Sequence, residues 1–249
     1  MPNAKPLPPQ CYGDEMCMGY YITVDARKEF RTQSDFDNAM NKAQGLIQLV
    51  VFSYNTFDGG SGMTLRDRLV YLVARDQVTR YLIAYSQNKT ASSLPDLTRG
   101  LAGGIIVLLM TRGDAEEVAV LKELWKKEGW PLKSKAGKEA STAAWLAVQH
   151  ADNDPAFQAK ALAFFGQHLS DGEINRNEYP LLYDRVHLRT VGTQRFGTQM
   201  TCKVGKWASD ALESKVHVDE WRKDFGLKDL AAYTRDIETM YGAKCPLDK

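Results

Sequence analysis

Residues Glu139 to His150 form a segment that would be apolar on almost every side of a helix. Alanine, valine, leucine and tryptophan side chains lie all around the helical turn, so no polar stripe is left to face water. A helix that is hydrophobic on every side lies in the centre of a protein. The sequence therefore predicts a central helix in this region, with other elements packed around it.

Several further segments have the caps and the spacing of helices. Thr64 caps a run of leucines at helical spacing, and Gly129 ends a helix that begins near Asp114. Asp154 and Pro155 are the usual cap and first residue of the next helix. Two more helices are predicted at Glu213–Phe225 and Leu230–Met240.

A short stretch after residue 180 alternates in the manner of β-structure. Val186, Leu188 and Thr190 would share one face of an extended chain, residues 191–193 are typical of a turn, and a second alternating run extends from Gln194 to Cys202. We therefore predict an antiparallel hairpin here. The expected fold class is mainly α: a helical domain with a small antiparallel β-hairpin.

The length of 249 residues suits one large domain or two small ones. A hydrophobic share of 44% is sufficient for a sizeable core. We expect residues 1–62 to be an N-terminal segment that packs on the main domain. Residues 63–241 would form the main helical domain with the hairpin, and residues 242–249 would be a tail.

The charge balance excludes two classes of partner. Thirty-two Lys and Arg against 31 Asp and Glu leave a formal charge of +1, without the basic excess of a nucleic-acid binder. The longest apolar run, Leu101–Met110, is about half of the roughly 20 residues that span a bilayer. We therefore expect a soluble globular protein with no nucleic-acid partner and no membrane span, and a small-molecule or peptide ligand as its partner.

Four cysteines lie in two pairs, one near each end of the chain. Cys11–Cys17 and Cys202–Cys245 are the pairings we favour for disulfides, although four cysteines permit three connectivities and four reduced thiols are the alternative. If the bridges form, Met1 replaces a removed signal peptide and the protein is periplasmic or secreted. Otherwise it is cytoplasmic.

Two charged residues interrupt the apolar stripe of the helix that follows Thr64. Asp76 and Arg80 are four residues apart and fall inside the stripe, which predicts a buried or half-buried ion pair. Such breaks in a local pattern concentrate at functional or strained sites, so we include both residues as substrate-binding candidates. The charges of the next helix, Glu116 and Glu117 among them, are expected on a solvated face.

Polar side chains gather where the central helix ends. His150 lies beside Asp152, and an imidazole near a carboxylate can act as a general acid or base close to neutral pH. We expect His150 in that role, with Asp152 or Asp184 orienting it. Arg185 and Arg80 would bind an anionic group or developing negative charge. Glutamines would donate hydrogen bonds to the substrate: Gln149, Gln158, Gln194 and Gln199.

The same cluster has simpler explanations. These side chains could satisfy backbone groups at helix ends, or hold the helices and the hairpin together. Ligation of a metal through His150 is a further alternative, but no zinc-finger or EF-hand pattern is present. We assign no metal ligands among these residues, and the sequence does not identify a cofactor.

Several short motifs follow one another in the second half of the chain: Gln149–Asp152, Phe157–Gln158, Tyr183–Val186, Gln194, Phe196–Gln199, Phe225–Leu227 and Leu230–Tyr233, with Asp76–Arg80 and Gly129–Pro131 upstream. Their order resembles a bacterial family known as a domain of unknown function, with a QHAD, YDRV and YGTQ signature. One departure is Phe196, where family members usually carry tyrosine, which removes a hydroxyl at this position. The resemblance covers roughly residues 64–233 and implies a shared site without an established activity.

Two functions fit these residues. The first is an enzyme, hydrolase-like, that acts by general acid–base chemistry on a carbonyl-type substrate, since no nucleophilic serine or cysteine motif is present. The alternative is a binding module that recognises a peptide, a sugar or a partner protein without catalysis. Catalysis requires His150 within reach of a carboxylate and open to a cavity, whereas binding does not.

Overall fold

A computed structural model of the chain describes residues 28, 30–56, 62–87, 94–242 and 245. Within this part of the chain, eight α-helices accompany one two-stranded antiparallel sheet. The predicted fold class, mainly α with a small β-hairpin, is confirmed. The predicted Cys11–Cys17 pair lies outside the described residues.

The elements follow one another along the chain with short connections. Their bounds are α1 Gln33–Thr56, α2 Leu65–Gln87, α3 Asp96–Glu128, α4 Lys133–Gln149, α5 Pro155–Gln167, a 3-10 turn at Arg176–Glu178, α6 Tyr179–Thr190, β1 Met200–Lys203, β2 Lys206–Ser209, α7 Val218–Asp224 and α8 Leu230–Tyr241.

Local sequence explains where these helices begin and end. The Thr64 hydroxyl accepts the Asp67 N–H at 3.1 Å and donates to its carboxylate at 2.7 Å, which closes a cap on α2. Asp154 accepts the Phe157 N–H at 3.1 Å at the start of α5. Gly129 has a φ of +85° and ends α3. The predicted caps are therefore confirmed.

The apolar run Leu101–Met110 and the helix predicted from Asp114 are one continuous helix, α3. The helix predicted to begin near Asp114 therefore begins earlier, at Asp96, because the glycines within the run do not interrupt it. A glycine inside a helix costs only about 1 kcal/mol relative to alanine, and burial of Leu101 and Ile106 offsets that cost. None of the helices within the described residues has a stretch long and apolar enough to cross a membrane.

The hairpin exists, but the prediction placed it too early in the chain. Val186, Leu188 and Thr190 belong to α6, and the paired strands are β1 and β2, with Cys202 opposite Trp207. The buried residues of α6 include Leu182 and Val186, which are four residues apart, as a helix requires. An alternation of only three residues was too short to indicate a strand.

By its internal contacts the chain divides into two units, and each is described by itself. The first contains Tyr71–Glu117 and the described residues up to and including Met63, and the second contains Thr64–Val70 and the described residues from Val118 onward. The core of the first unit includes Phe30, Ala39 and Leu101. The expected boundaries at 1–62, 63–241 and 242–249 stay a prediction.

Helix α4 is the centre of the second unit, as the apolar segment predicted. It contacts both α5 and α6. Its buried apolar residues are Ala140, Ala143, Ala144, Ala147 and Val148. The helix begins earlier than expected, at Lys133, and is kinked at Gly137, where φ is +84°.

The predicted disulfide between Cys202 and Cys245 is confirmed. It joins strand β1 to the last described residue of the chain and closes a loop with a sequence separation of 43. A cross-link over such a loop lowers the entropy of the unfolded chain.

Replacing Cys202 with serine is expected to lower the free energy of unfolding by about 3 kcal/mol, because the loop is no longer closed in the unfolded state. Urea unfolding with and without reductant measures this. Reduction of the parent should lower its free energy of unfolding by the same amount. Reductant should cause no such loss in Cys202→Ser, because the variant cannot form this disulfide. Equal midpoints for oxidised parent and variant would contradict the expectation.

Candidate functional site

The structure brings together two of the predicted catalytic residues, Asp152 and Arg185. Arg185 Nη1 donates to both carboxylate oxygens of Asp152 at 2.8 Å, and Arg189 Nη1 donates to the Asp152 backbone carbonyl at 2.6 Å. Helix α6 is thereby joined to the turn that follows α4. Because the Asp152 side chain is half exposed, this pair contributes little to stability by itself.

Two predicted glutamines meet at the end of α4: Gln149 is its last residue, and Gln158 reaches it from α5. Gln158 is 1% exposed, and its amide donates to the backbone carbonyls of Val148 at 3.1 Å and Gln149 at 3.4 Å. These carbonyls lie in the last turn of the helix, and that of Val148 also accepts the Ala151 N–H at 3.0 Å. Gln149 is buried, and His150, which is half-buried, follows it as the C-cap. Gln158 thus satisfies a helix end, as the simpler explanation proposed.

Asp184 is fully buried and holds the loop before β1. One carboxylate oxygen accepts the N–H groups of Arg195 and Phe196 at 2.8 and 3.0 Å. The other accepts the Thr198 N–H and hydroxyl at 2.8 and 2.9 Å. Burial raises the pKa of Asp184, and these four hydrogen bonds oppose that effect. The carboxylate therefore fixes the course of the loop.

Gln194 and Gln199 complete the same loop. Gln194 is fully buried, and its amide donates to the carbonyls of Gln199 at 3.0 Å and Asp210 at 2.7 Å, while its side-chain oxygen accepts the Gln199 N–H. Gln199 donates to the Leu181 carbonyl at 3.3 Å. These contacts join α6, the loop and the segment after β2.

Sequence reasoning missed Arg222, which is 1% exposed. Its guanidinium donates to the carbonyls of Phe196 at 2.5 Å and Lys228 at 2.6 Å and lies 4.8 Å from the centre of the Tyr233 ring. Burial lowers the pKa of Arg222. The Tyr233 hydroxyl donates to the Thr198 carbonyl at 3.1 Å. The loop of residues 195–198 is thus held from both sides.

Gly197 lies in this loop with a φ of +66°, and a Cβ there would lie 2.8 Å from Ser209 Oγ. We expect Gly197→Ala to lower the free energy of unfolding by about 2 to 3 kcal/mol, from backbone strain and overpacking together. Gly192→Ala is the matched control, because its φ is +82° and nothing lies within 4 Å of the added Cβ. Thermal unfolding of both variants separates the two costs, and equal losses would show that the close contact costs nothing.

A second group of charged side chains lies in the first unit, between α2 and α3. Arg80 Nε donates to Asp76 at 2.7 Å, and Arg80 Nη2 forms an ion pair with Asp114. Asp76 is fully buried, so the predicted buried ion pair is confirmed. One oxygen of Asp76 lies within 4.8 Å of one oxygen of Asp114. Burial would lower the pKa of Arg80, but the two carboxylates outweigh it and raise that pKa.

Glu117 adds a third carboxyl group to this cluster. It is fully buried, and neither of its side-chain oxygens has a hydrogen-bond partner among the described residues. Burial and the charges of Asp76 and Asp114 raise the pKa of Glu117 to about 9, although Arg80 and Arg75 oppose the shift. A carboxyl group with a pKa this far above neutrality keeps its proton at pH 7.

The expectation that Glu117 lies on a solvated face was wrong. Glu116 is half-buried and forms an ion pair with the buried Arg75 at 2.8 Å, and the next residue, Glu117, is fully buried. Asp114 was also missed as a member of the site. The only signal of this cluster in the sequence was the pair Asp76 and Arg80, because two charged residues interrupt an apolar stripe there.

The chain belongs to DUF6624, a family of unknown function, whose model matches residues 102–246. This confirms the expected resemblance to a domain of unknown function. No curated protein and no solved structure matches the chain. The matched range contains Asp114 and Glu117 together with every predicted site residue except Asp76 and Arg80.

Proposed function

We propose that this member of the family is an enzyme that uses general acid–base chemistry to hydrolyse, or transfer a group from, a carbonyl-type substrate. The observation that supports it is the position of Glu117, buried without a hydrogen-bond partner among the described residues, beside the cluster of Asp76, Arg80 and Asp114. A buried polar group without a partner is costly. Strongly perturbed carboxyls of this kind concentrate at catalytic sites.

The proposal gives the carboxyl groups different tasks. Asp114 is 17% exposed, so its carboxylate is the base that takes a proton from an attacking water or hydroxyl group. Once Asp114 is neutral, one of the charges that raise the pKa of Glu117 is gone. Glu117 then becomes the stronger acid and, since it is fully buried, passes its proton to the leaving group through the partly exposed Asp114 carboxyl. Pairs of carboxyls with separated pKa values work in this way.

Arg80 supplies the positive charge of the proposed site. Its side chain is 26% exposed, and it bonds to both aspartates, which fixes its direction. A guanidinium held in this way stabilises the negative charge that develops on a carbonyl oxygen in the transition state. The substrate-binding role expected for Arg80 is therefore part of the proposal, with Asp76 as the residue that positions it.

The roles expected for His150, Asp152, Asp184 and Arg185 stay predictions, and so do those of the glutamines. Asp184 has its oxygens engaged by the loop before β1, which makes it a positioning residue in this proposal. We also propose an oxidising location, periplasmic or secreted, because a structural disulfide persists in such compartments.

The test is turnover of a panel of activated esters, thioesters and amides by the parent, Asp114→Asn and Glu117→Gln. We expect the parent to hydrolyse at least one class and both variants to lose at least about 100-fold in kcat, because general acid–base catalysis is worth about 10²–10⁴. Glu123→Gln is the matched control: it lies on the same helix, exposed and paired with Lys127, and should retain parental activity.

A second measurement does not depend on the substrate. Infrared difference spectra at pH 7 should contain the C=O stretch of a protonated carboxyl in the parent and in Glu123→Gln but not in Glu117→Gln. If Glu117→Gln lacks the band but the parent hydrolyses nothing in the panel, the proton is correctly assigned to Glu117 and the catalytic role is overturned. An unchanged band in Glu117→Gln would overturn the assignment of the proton itself.

A further inference from the structure

The second unit contains a concavity of about 600 Å³ that shares no residue with the proposed catalytic cluster. It lies between the last turns of α3 and the first turns of α5. Small-molecule sites commonly have volumes of about 300–1,000 Å³. The side chains that give it chemistry are Lys122, Lys126, Lys160, Trp125, Phe157 and Asp154.

The lining carries an excess of positive charge. Three lysines face one carboxylate, Asp154, which accepts the Phe157 N–H and forms an ion pair with Lys122. With that pair discounted, the ammonium groups of Lys126 and Lys160 remain without a carboxylate in the lining. Two ammonium groups in the lining of one concavity attract a doubly charged anion.

The floor of the concavity is aromatic and fixed. Trp125 meets Trp130 edge to face with ring centres 4.9 Å apart, and it meets Phe157 at 5.8 Å. Lys160 Nζ lies 4.3 Å from the centre of the Trp125 ring. An aromatic surface beside ammonium groups suits a ligand with a planar apolar part and an anionic end.

We infer that this concavity binds a phosphate monoester of a small planar group. The phosphate dianion would lie between Lys126 and Lys160, since ammonium groups are point-charge phosphate binders. The planar part would replace the Lys160 ammonium over the Trp125 ring, which frees that ammonium for the phosphate. A free phosphate ion would meet the same lysines but would gain nothing from the aromatic floor, so the two sources of the anion can be distinguished.

The test is calorimetric titration of the whole chain with phenyl phosphate and with inorganic phosphate at low ionic strength. We expect phenyl phosphate to bind at least about tenfold more tightly than inorganic phosphate and to quench tryptophan fluorescence. Lys126→Gln and Lys160→Gln should each lower the affinity for phenyl phosphate by about tenfold, which is the usual effect of losing a hydrogen bond to a charged group.

Two further variants make the result specific to the concavity. Lys127→Gln removes the same charge from the next residue, which is exposed and paired with Glu123, and should change affinity by less than about twofold. Asp154→Asn keeps an oxygen to cap α5 but removes the negative charge, so binding should become tighter. The inference would be overturned if Lys127→Gln lowered the affinity for phenyl phosphate as much as Lys126→Gln and Lys160→Gln do. It would also be overturned if the parent bound phenyl phosphate and inorganic phosphate equally tightly.

Discussion

Replacing Asp184 with alanine is expected to lower the free energy of unfolding by about 4 kcal/mol or more. The carboxylate accepts four hydrogen bonds from Arg195, Phe196 and Thr198. Without it, three backbone N–H groups and one hydroxyl lose their acceptor beneath a loop that is largely buried. Each buried donor without a partner costs about 1 to 3 kcal/mol, and water can reach only some of them.

Chemical unfolding, followed by circular dichroism, measures the loss, and Asp224→Ala is the matched control. Asp224 is an exposed residue of α7, so its replacement should change stability by no more than about 0.5 kcal/mol. The loss of stability for Asp184→Asn should fall between those for Asp184→Ala and Asp224→Ala. An amide retains one acceptor oxygen, but its N–H groups would face other hydrogen-bond donors. A similar stability for Asp184→Ala and Asp224→Ala would show that the loop does not depend on this carboxylate.

The helices could be predicted from the sequence because their determinants are local. The apolar run around Trp145 has to be buried whichever elements surround it, and caps such as Thr64 and Asp154 act within one turn. The hairpin was harder, because two short strands pair through backbone contacts that almost any residue can make. Its position depends on Asp184 and Gln194, whose hydrogen bonds to the loop cannot be read from spacing.

The candidate site was predicted only where it violated a local pattern. Asp76 and Arg80 interrupt an apolar stripe, and the structure pairs them. Asp114 and Glu117 could not be found in that way, because they lie within a run of charges that is typical of a surface. Whether such a residue faces water depends on the neighbouring helix, which is information from tertiary structure.

Glu117→Gln is expected to make the protein more stable than the parent above neutral pH. Burial raises the pKa of Glu117 to about 9 from an ordinary value of 4.5. The folded protein therefore keeps a proton that the unfolded chain releases as the pH rises through this interval. The contribution of Glu117 to stability is fully present below about pH 4.5 and is lost as the pH approaches 9. The loss is at most about 1.4 kcal/mol for each pH unit.

Glutamine has the shape of a protonated glutamate and does not titrate, so the variant should lack this loss. We would measure unfolding free energies from pH 5 to 9. The two proteins should have similar values at pH 5, and Glu117→Gln should be more stable than the parent by several kcal/mol at pH 8. Glu123→Gln, at an exposed position of the same helix, should follow the parent throughout. Parallel curves for parent and Glu117→Gln would mean that Glu117 is ionised in the folded protein. If Glu117 is kept for catalysis at a cost to the stability of the fold, its replacement should raise stability and lower turnover together.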